Sequence, residues 1–519
     1  MGVATEGRRR AAETLAELYL DATHARDTAE LFVDESERLG GSDARERSLA
    51  VAAWLDTVSR PGDVVAFLCG ASARHAAAWF GVCLAGRQAC TLHPRDTPPK
   101  IAAVLNWLEA KVLVIEDAQA TLAREVLAHT GTALRVLSLQ TGVAAELRLD
   151  QLVAPLALPA LPSPDSPAAI ILSSGTTGTP KGVVHTQRTL LATSQGGAYT
   201  YGPLHAHTRA LLVMQPSFAA WAIISIPVIG NGGAVVYGRH FTPEGFLATC
   251  AAERITLAPL VPSMWRRVLA AGPELYDLGA LELTSISGEA PRSSDIGGIL
   301  ERVCARISFV YTASETFTGS AVMGDPAEMM AKGKTGFVGR PIPGAAMRVI
   351  DPEGGFSDEC AAGVEGEVVI AGPSLAIGYF RDPELTAKRF QNGWWRSGDR
   401  GVIDADGDLK LTGRWDNVIN SGGIKIAAEE IEAALLRHGA VAQCAVVGQP
   451  DPEFGQRIEA YIVVATTMPK PKPEALEAWL RRDCQLPGFK VPKAFHFLSE
   501  LPTGPTGKLL RRGLLRPTA

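Results

Sequence analysis

The chain has 519 residues, of which 46% are hydrophobic, 20% charged and 6% aromatic, with 52 glycines and 34 prolines; this is globular composition and excludes a disordered, collagen-like or coiled-coil chain. Its length allows about three compact units, or one large α/β body with a smaller companion. Fifty Lys and Arg against 55 Asp and Glu leave a formal net charge of −5, which removes the basic footprint of a dedicated nucleic-acid binder, so no nucleic-acid partner is expected.

The first twenty residues read as an amphipathic helix instead of an apolar leader, and Glu6 stands where a myristoylation signal needs Ser or Thr, so neither export nor a lipid anchor is expected and the protein is placed in the cytoplasm. Short apolar runs, Val64–Leu68, Val112–Ile115 and Ala168–Leu172, alternate with helix-patterned segments; this predicts an α/β fold with buried, largely parallel strands. Pro155, Pro159, Pro162, Pro164 and Pro167 interrupt both helix and strand, so they mark a surface connection. The most apolar stretches, Ala76–Gly86 and Phe218–Gly230, fall well short of the roughly 20 residues a membrane span needs. The eight cysteines are scattered without a CxxC pair and read as buried, reduced thiols.

Near residue 400 the texture changes. Arg400–Gly413 reads as a hairpin whose turn carries Asp404, Asp406 and Asp408; a calcium loop would need glycine at its sixth position and a closing glutamate, so a tight turn is expected. A helix over Ala428–Arg437, strands near Cys444–Gly448 and Ala460–Val464 and a helix over Pro473–Asp483 then suit a small α+β domain.

The sharpest local signal is Ser173-Ser174-Gly175-Thr176-Thr177-Gly178-Thr179-Pro180-Lys181-Gly182, directly after the run Ala168–Leu172. Glycines open backbone conformations closed to other residues, hydroxyls donate hydrogen bonds and a lysine brings charge, which together suit a loop wrapped around polyphosphate oxygens. It is neither a Walker A loop nor GxGxxG, because Pro180 precedes Lys181 and Gly182 follows it.

This string resembles the phosphate loop of the adenylate-forming superfamily, which includes acyl-CoA and aryl-CoA synthetases, luciferases and the adenylation domains of peptide synthetases. Four further motifs follow in that family's order, and the resemblance spans about residue 30 to the C-terminus. It implies a large multi-subdomain N-terminal α/β domain over 1–413 and a small mobile C-terminal α+β domain over 414–519, with ATP, Mg²⁺ and coenzyme A as the small molecules handled. Ser173, Ser174, Gly175, Thr176, Thr177, Gly178 and Lys181 would contact the nucleotide's phosphates. Tyr311-Thr312-Ala313-Ser314-Glu315-Thr316 resembles the family's YGxTE segment, so Tyr311, Thr312 and Ser314 would border AMP and Glu315, with Thr176, would hold Mg²⁺. A lone carboxylate beside phosphate oxygens and water is how that ion is usually bound. Ser287-Gly288-Glu289-Ala290-Pro291 resembles the adenine border, giving Gly288, Glu289 and Ala290 to the nucleotide.

Trp395-Arg396-Ser397-Gly398-Asp399 is similar to the family's [YW]-[RH]-[ST]-G-D, in which the aspartate accepts from both ribose hydroxyls. In Gly413–Ile426 the resemblance makes Arg414 a ribose and phosphate contact, Asp416 the hinge, and Gly422 and Gly423 the lining of the pantetheine tunnel. Pro502-Thr503-Gly504-Pro505-Thr506-Gly507-Lys508 is close to PxTxxGK, which makes Lys508 the catalytic lysine of adenylation. Its ammonium would meet carboxylate and α-phosphate together and lower the repulsion between two anions.

The implied activity is ligation of a carboxylic acid to coenzyme A through an acyl-adenylate. The alternative is a stand-alone adenylating enzyme that loads a phosphopantetheine carrier protein; the chain from Leu509 to Ala519 holds no carrier domain, which favours CoA. By resemblance the acyl pocket includes Phe218, Ala219, Trp221, Ile286, Ser287 and Ala313. Amino-acid-activating relatives place an aspartate, and many acyl-CoA synthetases a histidine, at the position of Ala219. An ammonium would be buried unpaired there, so the expected partner is a small apolar acid, aromatic or of medium chain length. A homodimer, and a lysine acetyltransferase acting on Lys508, complete the expected partners.

Overall fold

The computed structural model describes residues 11–140, 147–173, 181–288, 291–318, 321–323, 326–334, 336–466, 468–503 and 509–515. The chain divides into two compact units, Met1–Met347 with Ile370–Trp395, and Arg348–Val369 with Arg396–Ala519.

Two sheets organise the first unit. One runs, in spatial order, Leu147–Arg148, Arg135–Ser138, Val112–Ile115, Val64–Leu68, Gln88–Thr91 and Pro167–Ser173, all parallel, and ends in the antiparallel strands Lys181–Thr186 and Gly378–Tyr379. The other places Glu30–Val33, Ala234–Tyr237, Arg209–Leu212, Leu257–Leu260, Leu283–Ser287 and Ile307–Tyr311 side by side and parallel. The strands read as apolar runs because both faces are covered: every residue of Val64–Leu68, Val112–Ile115 and Ala234–Tyr237 is buried. The α/β architecture expected from the sequence is thus present, and the proline-marked segment ahead of Pro167 is a connection with Val153, Leu156 and Leu158 exposed.

The helices Ala73–Leu84 and Ala219–Gly230 join one aromatic core drawn from both sheets. Tyr19 stacks on Phe80 at 4.3 Å, Phe32 lies 6.1 Å from Phe80, and Trp79 meets Trp221 edge-on at 5.3 Å. Helix Ala219–Gly230 is apolar on every side and carries Pro227 inside it, the pattern of a helix with no solvent face. No helix among the described residues is long and apolar enough to cross a membrane. Pro227 packs against Gly197 of helix Gln187–Thr200, where a Cβ would stand 2.1 Å from the proline Cβ.

The strand Trp394–Ile403, which belongs to the second unit from Arg396 on, and the strand Leu409–Arg414 form the expected hairpin. Asp404 builds its turn: its carboxylate accepts from the amides of Asp406 and Asp408 at 3.0 and 2.9 Å. Beyond it, Val418–Ser421 and Ile424–Ala427 pair, helix Ala428–Leu436 follows, and the long strands Val441–Asp451 and Gly455–Val464 run antiparallel, with Ala494–Leu498 parallel to the latter. The expected second helix is α-helical over Pro473–Ala478 and widens to a π turn over Trp479–Asp483. That turn buries Leu480 and brings the Trp479 indole N–H to the Ala434 carbonyl at 3.0 Å. All eight cysteines are free, six of them buried; Cys360 and Cys484 are half-buried, against the expectation of uniform burial.

The Gly197–Pro227 contact leaves no room for a methyl group. Gly197→Ala is expected to lower stability by about 1–3 kcal/mol through overpacking, read as a lower urea midpoint; an unchanged midpoint would mean that the two helices separate without cost.

Candidate active site

The phosphate-loop string is held at its stem by an antiparallel ladder in which Ser173 faces Lys181 and Leu172 faces Gly182. Ser174, Gly175, Thr176, Thr177 and Gly178 lie outside the described residues. Gly182 has a packing reason: a Cβ there would come within 2.8 Å of Ile170 and 3.0 Å of Phe380, while the Phe380 amide donates to the Gly182 carbonyl at 2.7 Å. The Lys181 ammonium stands 5.7 Å from the centre of the Tyr379 ring, within cation–π range.

Tyr379 ties this stem to the metal candidate. Its hydroxyl donates to Glu315 Oε1 at 2.9 Å and accepts from the Trp395 indole N–H at 3.2 Å. Burial, followed by the neighbouring Glu315 carboxylate, pushes the phenol well above its usual range, so it stays a donor. Glu315 is buried in a turn that leaves strand Ile307–Tyr311. The Ala376 amide donates to the Glu315 carbonyl at 2.8 Å, Ser374 Oγ donates to the Thr316 carbonyl at 2.7 Å, and Thr312 Oγ1 donates to the Phe317 carbonyl. Phe317 closes the turn at φ +48°, a left-handed conformation sustained by its full burial. Beneath it His185 stacks on Phe317 at 4.0 Å and shares its Nε2 proton with the Ser314 carbonyl at 2.8 Å. Burial drives the His185 pKa down to about 4, so the ring is neutral and Nε2 carries its proton.

Alongside, strand Leu283–Ser287 pairs Ile286 with Phe309 and Ser287 with Val310. Ser287 and Gly288 therefore leave the sheet beside Tyr311, Thr312 and Ala313 at the carboxyl ends of adjacent parallel strands, the usual place for a ligand in such sheets. Gly288 takes φ +87°, which favours glycine. Glu289 and Ala290 lie outside the described residues.

Phe218 and Trp221 line a small cavity, about 10 Å³ and room for a single water, that also meets Trp79, Thr91, Ile170 and Leu172. Ile286, Ser287 and Ala313 do not line it. Ala219 begins the helix and is half-buried. Phe218 packs on His93 at 5.3 Å, and Trp221 meets the buried His75 edge-on at 5.0 Å. Burial drives His75 down to about 3.

In the second unit Asp399 and Arg414 face one another across the hairpin and join through a 2.6 Å bond from the guanidinium to the carboxylate. Ser397 Oγ accepts from the Asp399 amide at 2.9 Å. Asp416 lies half-exposed in a 3₁₀ turn just after Arg414. Gly422 and Gly423 form the two-residue turn between Val418–Ser421 and Ile424–Ala427, at φ +60° and +80°, the double positive φ that a tight hairpin demands. Lys508 lies outside the described residues; on either side of it Thr503 bridges Leu509, and Arg511 grips the Glu432 carboxylate with two 2.7 Å contacts.

Residues 19–380 match the family described as AMP-binding enzyme, and residues 430–508 match the AMP-binding enzyme C-terminal domain. The chain belongs to the AMP-binding enzyme family. It is 32% identical over 457 residues to a feruloyl-CoA synthase of an Amycolatopsis species, covering 87% of this chain and 88% of that one. It is 34% identical over 361 residues to a sulfoacetate–CoA ligase of Cupriavidus necator, covering 68% of each. Among solved structures, the amide bond synthetase McbA of Marinactinospora thermotolerans superposes with a TM-score of 0.85 at 25% identity, over 96% of this chain and 99% of that one. The fold and the adenylate-forming assignment made from the motifs therefore stand.

Sequence reading missed His185 and Tyr379, although both adjoin recognised motifs: His185 lies four residues after Lys181, and Tyr379 precedes the Trp395 motif in a short apolar run. His75 and His185 also carry a pH dependence. Their folded pKa values, about 3 and about 4, lie below the unfolded value of about 6.5. The unfolded chain thus binds more protons between these limits, and stability is fully present above pH ~6.5 and is lost as pH falls toward 4, by about 2 kcal/mol per histidine at pH 5. Urea unfolding between pH 7 and 5 should show this decline, with a shallower slope in His75→Phe; parallel slopes would exclude His75 as a source.

Proposed function

We propose that this protein is an ATP-dependent acyl- or aryl-CoA ligase working through an acyl-adenylate. The observation that carries the reading is the meeting of the phosphate-loop stem and Glu315 on one side chain, Tyr379. An anion-binding loop and a buried carboxylate fixed side by side suit MgATP, and the CoA-ligase names of the relatives supply the reaction class.

The acid's carboxylate oxygen attacks the α-phosphorus in line, the bond to the bridging oxygen breaks, and pyrophosphate leaves with that electron pair; positioning and charge neutralisation supply the catalysis. Glu315 fits a hard cation: it is a carboxylate, and Tyr379 and the turn amides hold it in place. Mg²⁺ bound there neutralises phosphate charge. The stem residues Ser173 and Lys181 hold the loop, and Tyr311, Thr312 and Ser314 border the nucleotide. Asp399, braced by Arg414, orients the ribose, and Lys508 bridges carboxylate and α-phosphate. In the second half-reaction the CoA thiolate attacks the acyl carbonyl and AMP leaves. The segment from 414 onward turns about Asp416 for that step, withdrawing Lys508 and presenting Gly422 and Gly423 to the pantetheine arm. Eight free thiols suit a reducing cytoplasm.

Pyrophosphate release from MgATP across aromatic, linear and branched acids, with and without CoA, tests the reading. Turnover that continues only with CoA is expected; a single CoA-independent burst would point to a carrier-protein acceptor, and silence across the panel would remove the ligase assignment. Lys508→Ala should slow adenylation at least a hundredfold, about 2.7 kcal/mol in the barrier, and spare thioester formation from supplied acyl-AMP. Asp416→Pro should do the reverse, and equal losses in both half-reactions would overturn these roles. The same lysine suits silencing by acetylation: an acetyltransferase with acetyl-CoA should abolish adenylation, and full activity of a stoichiometrically acetylated enzyme would refute it.

A further inference from the structure

His75 and His185 are both fully buried in the first unit, and their ring nitrogens are used differently. His75 rests among aromatic rings, edge-on to Phe67 at 5.2 Å and to Trp221 at 5.0 Å, and neither of its nitrogens has a hydrogen-bond partner among the described residues. His185 engages both: Nδ1 faces Thr189 Oγ1 at 3.2 Å, and Nε2 donates to the Ser314 carbonyl at 2.8 Å. A packing role explains His75. His185 also fixes a direction, because a satisfied buried hydrogen bond specifies the orientation of the groups it joins.

What His185 orients is the turn that carries Glu315. Four consecutive carbonyls there each accept from a separate donor: Ser314 from His185 Nε2, Glu315 from the Ala376 amide, Thr316 from Ser374 Oγ and Phe317 from Thr312 Oγ1. Of these four donors, His185 is the one that belongs to the strand Lys181–Thr186, at whose head the phosphate loop ends. Lys181 and His185 are four residues apart, so they share a face of that strand at a separation of about 13 Å. At Lys181 the strand meets the Tyr379 ring, whose hydroxyl donates to the Glu315 carboxylate. At His185 it meets the Ser314 carbonyl, which shares a rigid peptide plane with the Glu315 nitrogen. Turning that carbonyl would turn the residue that follows it.

Building on the ligase reading, we infer that His185 is a positioning residue for the metal and nucleotide site: through the Ser314 carbonyl it keeps the Glu315 carboxylate in register with the phosphate loop. Without the imidazole N–H the carbonyl would be buried and unpaired, and the peptide would rotate toward another donor, carrying Glu315 with it. The stack on Phe317 at 4.0 Å holds the ring in place but supplies no such direction.

The test is calorimetric titration of the full-length protein with α,β-methylene-ATP, which cannot be cleaved between its α and β phosphorus atoms, once with Mg²⁺ and once with EDTA. The readout is the gain in affinity that Mg²⁺ brings, because a residue that merely fills the core changes the amount of folded protein and leaves this ratio alone. His185→Phe keeps a stacking ring and removes the donor; the ratio should fall roughly fivefold or more, about what one hydrogen bond supplies, while binding in EDTA stays near the wild-type value. His185→Gln restores an N–H donor without the ring and should keep the larger part of the gain. Urea unfolding run alongside identifies the folded variants, and His185→Leu serves the same comparison should the larger ring not fit. An unchanged ratio in His185→Phe, a His185→Gln ratio no better than that of His185→Phe, or a wild-type protein that gains nothing from Mg²⁺ would overturn the inference. Failure of the wild-type protein to bind the nucleotide at all would instead remove the adenylate site itself, and this inference with it.

Discussion

The site hangs on a phenol that must stay protonated. Tyr379 donates to Glu315, accepts from Trp395 and lies under Lys181, so one side chain fixes the end of the phosphate loop relative to a carboxylate 64 residues away in sequence. Burial and the adjacent negative charge both disfavour the phenolate, and each thereby protects the hydrogen bond that holds Glu315. The neutral phenol is the form that can donate to the Glu315 carboxylate. His185 acts on the other side of the same turn, where a neutral ring can both stack on Phe317 and donate to the Ser314 carbonyl.

A different logic governs the second unit, where the candidate residues sit on backbone geometry more than on buried networks. The Asp399–Arg414 pair is partly open to solvent, and a pair of that kind contributes little to stability. Its value lies in aiming a carboxylate across a hairpin. The Gly422–Gly423 turn is likewise fixed by φ alone, because only glycine enters both positions without strain.

Much of this was legible in the chain itself. Strands buried on both faces announce themselves as apolar runs, which is why Val64–Leu68 and Val112–Ile115 could be placed. The turn at Asp404 was readable because its hydrogen bonds are local. Residues whose partners are distant in sequence were not: nothing near His185 signals a carbonyl 129 positions on, and nothing near Thr91 signals that its hydroxyl shares a cavity with Ser217. The strand Ala494–Leu498 escaped notice for another reason. All five of its residues are half-buried, so it shows neither an apolar run nor a clean alternation. The place where the chain divides was hidden too, since Arg348–Val369 joins the second unit through contacts far along the sequence.

The distribution of thiols has a practical side. Cys69, Cys83, Cys90, Cys250 and Cys304 are sealed inside the first unit, and Cys444 inside the second; the accessible pair, Cys360 and Cys484, both belong to the second unit. A maleimide dye added to the native enzyme would therefore mark one unit and leave the other dark. The wild-type chain comes with its own attachment points for fluorescence or spin labels, and watching the second unit during turnover would require no engineered cysteine and no cysteine-free background.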